Sequence, residues 1–115
     1  MIKGIGIEMV DTGRFKSAVE RRGSRLLRRL FTDRELEYSL GQRSPERHLA
    51  ARFACKMSFF KAAGRRYGFR EVEVLRDGNG RPRLKVEGIG GDLRFTTTIS
   101  HSGKYSIATT VVERA

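Results

Sequence analysis

The chain has 115 residues, 38% of them hydrophobic, and carries 24 lysines and arginines against 13 acidic residues, a formal charge of +11. That length suits one domain over residues 1–115 with a small core, and the charge favours a polyanionic partner: nucleic acid, an anionic membrane, an acidic protein or a phosphate-rich ligand. No apolar run approaches a membrane span, MIKGIGIEMV lacks a signal peptide's order, and a lone cysteine excludes an intrachain disulfide, so a cytoplasmic location is expected.

Residues 2–8 (IKGIGIE) alternate and predict a first strand that sets Ile5 and Ile7 on one face and ends at Glu8. Asp11-Thr12 offers a helix start with Phe15, Ala18 and Val19 as its apolar stripe. Gly23 ends or bends that helix, and Leu26, Leu27 and Leu30 continue an apolar face beyond it. Thr32-Asp33-Arg34-Glu35 has the form of a capping box, threonine accepting from an orphan amide while the glutamate reaches back. Ser44-Pro45 marks another start, with proline at the first helical position, and that helix is expected to run to about Ala63, before Gly64. The second half reads as sheet. Residues 71–76 (EVEVLR) alternate, DGNGRP is a turn, and Arg83–Val86 pair back. RFTTTIS and YSIATTVV add two β-rich runs around His101-Ser102-Gly103. A strand, then helices, then several strands predicts an α+β fold, helices packed on a mainly antiparallel sheet in a single domain.

On the last helix Arg52, Lys56, Met57 and Lys61 stand out, Met57 and Lys61 on one face, Arg52 and Lys56 on another. They read as a solvated basic stripe beside a core methionine or as phosphate-binding groups. His101, at a junction between two strands, suits phosphate binding, proton transfer or a structural hydrogen bond. His48 has no identifiable partner and reads as surface or packing. Glu8 suits either a functional carboxylate at a sheet edge or a cap on a neighbouring helix. Arg21, Arg22, Arg25, Arg28 and Arg29 form the densest charge cluster. At helical spacing Arg21, Arg25 and Arg28 or Arg29 line one face, which can dock an acidic helix or phosphates, or simply be solvated. Cys55 lies among alanines as a small buried filler. Gly4 and Gly6 do not complete a dinucleotide fingerprint. A nucleic-acid-binding reading rests on charge alone and ranks last, for want of a motif or an aromatic stacking platform.

In order, the blocks MIKGIGIEMVDTGRF, FTDRE, HLAARFACKMSFFKA, DGNGRP and TISHSGKYSIATTVVE span nearly the whole chain. They resemble the holo-(acyl-carrier-protein) synthase pattern: a GIGxDxV strand leading to a helix with an arginine (here Arg14), F-T-x-x-E, LAxRFAAKEAFxKA, a G-K-P turn and an S-x-S-H segment. The resemblance implies the 4′-phosphopantetheinyl transferase fold and magnesium-dependent transfer of 4′-phosphopantetheine from coenzyme A to a serine of apo acyl carrier protein, releasing adenosine 3′,5′-bisphosphate. It implies a homotrimer with sites between subunits, and an acidic carrier partner for Arg14, Arg21, Arg22, Arg25 and Arg28. Glu8 matches a metal and catalytic position, Lys61 and His101 the phosphate-binding lysine and histidine. Arg52, Lys56 and Ser100 match further coenzyme-binding positions, and Gly80, Arg81 and Pro82 match the turn along the nucleotide.

Three departures stand against that pattern. Glu8 replaces an aspartate, which moves the carboxylate out by one methylene. Met57 replaces the second metal-binding glutamate, and a thioether is not a hard-oxygen ligand. GRRYGF is shorter than the usual Gly-rich loop. Two readings follow: an active synthase with a remodelled site, or a catalytically impaired paralogue that binds coenzyme A or a carrier protein.

Overall fold

The computed structural model describes residues 1–89 and 91–115. In chain order these form strand β1 (Ile2–Asp11), helices α1 (Thr12–Arg22), α2 (Ser24–Leu30), α3 (Asp33–Leu40) and α4 (Pro45–Ala63), a 3-10 turn (Phe69–Glu71), and strands β2 (Val72–Arg76), β3 (Pro82–Val86), β4 (Leu93–Ser102) and β5 (Tyr105–Arg114). The expected α+β class holds, with the strands divided between two antiparallel sheets: β1-β5-β4, and the hairpin β2-β3.

Helix α4 is the central element. Leu49, Ala50, Ala54 and Cys55 belong to one apolar cluster with Val10, Phe15, Phe31 and Ala108, while Phe59, Phe60 and Ala62 belong to a second with Val72 and Val112. Ala62 and Ser58 meet β1 where it has no side chains: a Cβ on Gly4 would lie 1.8 Å from the Ala62 carbonyl oxygen, and one on Gly6 2.0 Å from that of Ser58. These glycines therefore serve close helix–strand approach, which a dinucleotide fingerprint would not explain. Gly64 ends α4 in the left-handed region, φ 75°, with its N–H donated to the Phe60 carbonyl.

Several strand boundaries differ from the sequence reading by a few residues, Glu71 falling in the 3-10 turn instead of β2, whereas the helix stops at Gly23 as expected. Strand β1 continues past Glu8 to Asp11, because β5 pairs with it that far, Glu8 opposite Ala108 and Asp11 opposite Tyr105. Asp11 then accepts the Arg14 N–H at 3.0 Å and caps α1. Gly23, φ 72°, breaks the arginine-rich segment into two helices. The capping box at Thr32 and Glu35 forms as expected. Among the described residues no helix is long and apolar enough to cross a membrane.

Candidate active site

Glu8 follows Gly4 and Gly6 on the face of β1 that meets α4, since alternate residues share a face. Its Oε1 lies 2.7 Å from Lys61 Nζ, and the same ammonium donates to the Ile7 carbonyl at 3.0 Å. The Lys61 side chain is 54% exposed, so the pair orients the lysine head while contributing little to stability. Met57, one turn earlier on α4, is partly buried and packs against the apolar cluster around Phe59 and Phe60. The local donor set is thus one carboxylate and a thioether, and no group of three His, Cys, Asp or Glu side chains clusters as a metal site among the described residues. Magnesium is commonly held through one or two carboxylates completed by substrate phosphates and water, so Glu8 fits as a single protein ligand and Met57 does not. Glu8 also lines an open groove of about 720 Å³ with Arg14, Arg21, Arg22, Phe15 and Phe53.

A second site is a cleft of about 360 Å³ between the start of α4, the β2-β3 hairpin and the end of β4. Arg47, His48 and Arg52 enter it from α4, Arg76 from β2, Gly80 from the turn, Pro82 from the start of β3, and His101 from β4; among the described residues no acidic side chain lines it. Arg52 is 4% exposed, and its Nε has no partner among the described residues. Its guanidinium stacks over Tyr38 at 4.7 Å, with Arg76 over the same ring at 5.6 Å. The Arg52 pKa is lowered, first by burial and then by Arg76. The Nδ1 of His101 is 3.1 Å from Ser106 Oγ, which leaves Nε2 for a ligand. Burial lowers the His101 pKa below the ordinary histidine value, and Arg47 and Arg76 lower it further. Burial and then Arg52 do the same for His48.

The two sites lie apart within one chain. Lys61 follows Arg52 by nine positions on α4, roughly 13 Å along the axis.

Several expected site residues sit elsewhere. Lys56 is fully buried, and its ammonium donates to Glu35 Oε1 at 2.7 Å and to the carbonyls of Leu30 and Phe69 at 2.8 Å each. Its surface in this chain belongs to the core and not to a phosphate cleft, because Glu35 supplies a buried counter-charge. Burial lowers its pKa, and Glu35 opposes that shift. Ser100 is exposed on the opposite face of β4, since Ile99 and His101 both line the cleft and strand side chains alternate. Arg81 is exposed while its backbone closes the turn, its N–H donating to Asp77 Oδ1 at 3.0 Å. The arginines do not share one helical face: Arg21 and Arg22 end α1, while Arg25, Arg28 and Arg29 lie on α2, on the far side of Gly23. Arg22, Arg25 and Arg29 line a groove of about 320 Å³ with Leu26, and Arg28 instead donates to Ser24 Oγ at 3.3 Å.

Arg47, His48 and Arg76 are cleft residues that the sequence reading did not select. The i, i+4 spacing of His48 and Arg52 was a usable signal. Arg76 is opposite Pro82 in the hairpin register, which the turn DGNGRP already implied.

The family model for the 4′-phosphopantetheinyl transferase superfamily matches residues 4–110. The chain is 42% identical to the holo-[acyl-carrier-protein] synthase of Geobacter sulfurreducens, with 99% of each chain covered, and 40% identical to that of Geobacter metallireducens at the same coverage. Among solved structures it is similar to the holo-(acyl-carrier-protein) synthase of Bacillus anthracis in complex with CoA (3′,5′-ADP), TM-score 0.87, 27% identity, covering 100% of this chain and 99% of that one. It is also similar to the Neisseria meningitidis synthase, TM-score 0.89, 27% identity, covering 99% and 100%.

Proposed function

The chain belongs to the 4′-phosphopantetheinyl transferase superfamily, and we propose that it moves the 4′-phosphopantetheine arm of coenzyme A onto a serine of apo acyl carrier protein, releasing adenosine 3′,5′-bisphosphate. The observation that carries this reading is the acid-free cleft. Three arginines and two histidines converge there with no carboxylate lining it among the described residues; Glu35 acts on Arg52 only from the adjoining pocket, so the cleft is strongly basic and suits an anionic ligand. A nucleotide bearing a phosphomonoester and a diphosphate is such a ligand.

In the transfer, the serine oxygen bonds to the phosphorus that carries pantetheine, the bond to the adenosine bisphosphate breaks, and the serine proton passes to water. Charge grows on the phosphoryl oxygens and the leaving phosphate, where Lys61 acts as donor, while His101 donates to the nucleotide's phosphomonoester in the arginine cleft. Glu8 holds the Lys61 ammonium at 2.7 Å and so fixes its position before the reaction. Arg52 neutralises nucleotide phosphate, and Gly80 and Pro82 flank the nucleotide with Arg81 at the rim. Magnesium, bound through Glu8, would supply further neutralisation of the diphosphate. Arg14, Arg21, Arg22 and Arg25 form the docking surface for an acidic carrier protein, where charge chiefly raises the association rate and sets orientation. Cys55 is buried and its thiol is pushed up to about 11 by that burial, so it serves packing and takes no part in the transfer; a lone cysteine accords with a reducing cytoplasm.

A homotrimer completes this reading. Ile5, Ile7 and Met9 stand exposed along β1, beside Ile107 and Val111 of β5, as an uncovered apolar sheet face. The two half-sites lie roughly 13 Å apart along α4 within one chain, which suits completion of each site by a neighbouring copy.

Met57 favours a second reading, a chain of this fold that binds coenzyme A or carrier protein but transfers slowly. The test is an assay with coenzyme A, apo acyl carrier protein and magnesium, following the mass of the carrier. Serine modification is expected, and Met57→Glu is expected to raise the magnesium-dependent rate about tenfold or more. Coenzyme A binding without transfer in either form would leave the binding-only reading standing.

A further inference from the structure

Two imidazoles line the arginine cleft, and only His101 has been given a ligand so far. We propose that His48 is a second phosphate contact beside His101, and that a phosphomonoester dianion entering the cleft brings a proton with it. This rests on the coenzyme reading above, because it takes the nucleotide's phosphomonoester as the ligand.

The surroundings of each ring set the direction. His48 on α4 meets Arg47 and Arg52 on its own helix, Arg76 from β2 and His101 from β4. From α3 it meets only the neutral Tyr38, edge-on with ring centroids 5.8 Å apart. His101 meets Arg47 and Arg76 across the cleft, and Ser106 of β5 engages its Nδ1 at 3.1 Å. No carboxylate lines the cleft to favour an imidazolium, and the buried Arg52 Nε has no partner among the described residues. Desolvation and the neighbouring guanidiniums both disfavour the imidazolium at these two rings, although the His101 residue as a whole remains exposed.

A phosphomonoester, with a second pKa of about 6, arrives near neutrality largely as a dianion. Its two charges oppose the field of the surrounding guanidiniums at both rings and favour the imidazolium, in which both nitrogens donate. A diester, with one charge and no second ionisation, would draw a proton far less effectively. The cleft thereby distinguishes a nucleotide that carries a terminal phosphate from one that lacks it.

The chain has only two histidines, so proton NMR reads both rings separately, and His48→Gln assigns the signals. The imidazole resonances of the full-length protein are titrated between pH 5 and 8.5, spanning the ordinary histidine range, alone, with coenzyme A and with dephospho-coenzyme A. With coenzyme A both midpoints are expected to rise by about one pH unit or more, and with dephospho-coenzyme A to move little. His48→Gln is expected to weaken coenzyme A binding about tenfold at pH 6.5 while leaving dephospho-coenzyme A binding nearly unchanged. Coenzyme A that binds and shifts His101 alone overturns the assignment of His48. Binding that shifts neither ring, or equal shifts with both nucleotides, overturns the proton-coupled phosphate contact. Failure of coenzyme A to bind at all overturns instead the coenzyme reading on which this one rests.

Discussion

The Lys56 ammonium has no solvent exposure and three hydrogen-bond acceptors, Glu35 Oε1 and the carbonyls of Leu30 and Phe69. Glu35 is equally buried. Its Oε1 also accepts the Thr32 N–H at 2.8 Å and its Oε2 the Val74 N–H at 2.8 Å, so one carboxylate ties α3, α4 and β2 together. A buried pair of this kind is costly to break from one side, because the remaining charge keeps its desolvation penalty without its partner. Lys56→Met is therefore expected to lower the unfolding free energy by about 3–5 kcal/mol in urea denaturation. Adding Glu35→Gln, which removes the orphaned charge while keeping an amide acceptor, should cost much less than the sum of the two single changes. Strict additivity would show that the two side chains are not coupled. Met57, the next residue, is bound by no such node, which makes it the cleaner position for testing chemistry.

At the scale of elements, the joint between β1 and α4 sets the first half-site. Gly4 and Gly6 let the helix sit on the strand, and that approach brings Lys61 over Glu8. Gly6→Ala sets a methyl 2.0 Å from the Ser58 carbonyl oxygen, 2.7 Å from the Ala62 N and 2.8 Å from Lys61 Cβ, all fixed to the helix backbone, so no flexible side-chain end can yield. The helix must shift, at a cost of about 1–3 kcal/mol or more. The variant is expected to unfold at lower urea and to lose transfer rate as Lys61 moves off Glu8. Gly78→Ala is the control: a Cβ there meets nothing within 4 Å, and a change within about 0.5 kcal/mol is expected. Loss of stability at Gly78 equal to that at Gly6 would refute the close-approach argument. The same scale explains the arginine cluster, whose spacing suits one helix until Gly23, φ 72°, turns it into two.

For the whole molecule, the telling feature is the sheet face that α4 does not cover. Ile5, Ile7 and Met9 are 61%, 58% and 58% exposed along one edge strand. An exposed apolar strand at a sheet edge invites association. In the proposed homotrimer this face is buried and the separated half-sites meet across subunits. Ile7→Glu is expected to convert the trimer to a monomer by light scattering, with the circular dichroism of the native fold retained, and to abolish transfer at the same time. A wild-type monomer that transfers at full rate would remove the trimer from the mechanism.

The sequence by itself determined what depends on neighbours along the chain. Alternation in 71–76, the turn DGNGRP, the capping box at Thr32 and Glu35, and the stop at Gly64 all reappear as elements, because hydrogen bonds and φ preferences of adjacent residues decide them. The ordered motif blocks carried the family for the same reason, each being a continuous run. Tertiary structure alone decided which basic groups face the cleft. Lys56 looks on paper like Lys61, yet Glu35, 21 positions away, draws it into the core. Ser100 and His101 are adjacent, yet alternation on β4 sends only His101 into the cleft. His48, Arg52, Arg76 and His101 become one site only when α4, β2 and β4 pack together. Burial and convergence are properties of segments far apart in sequence, so no local pattern records them.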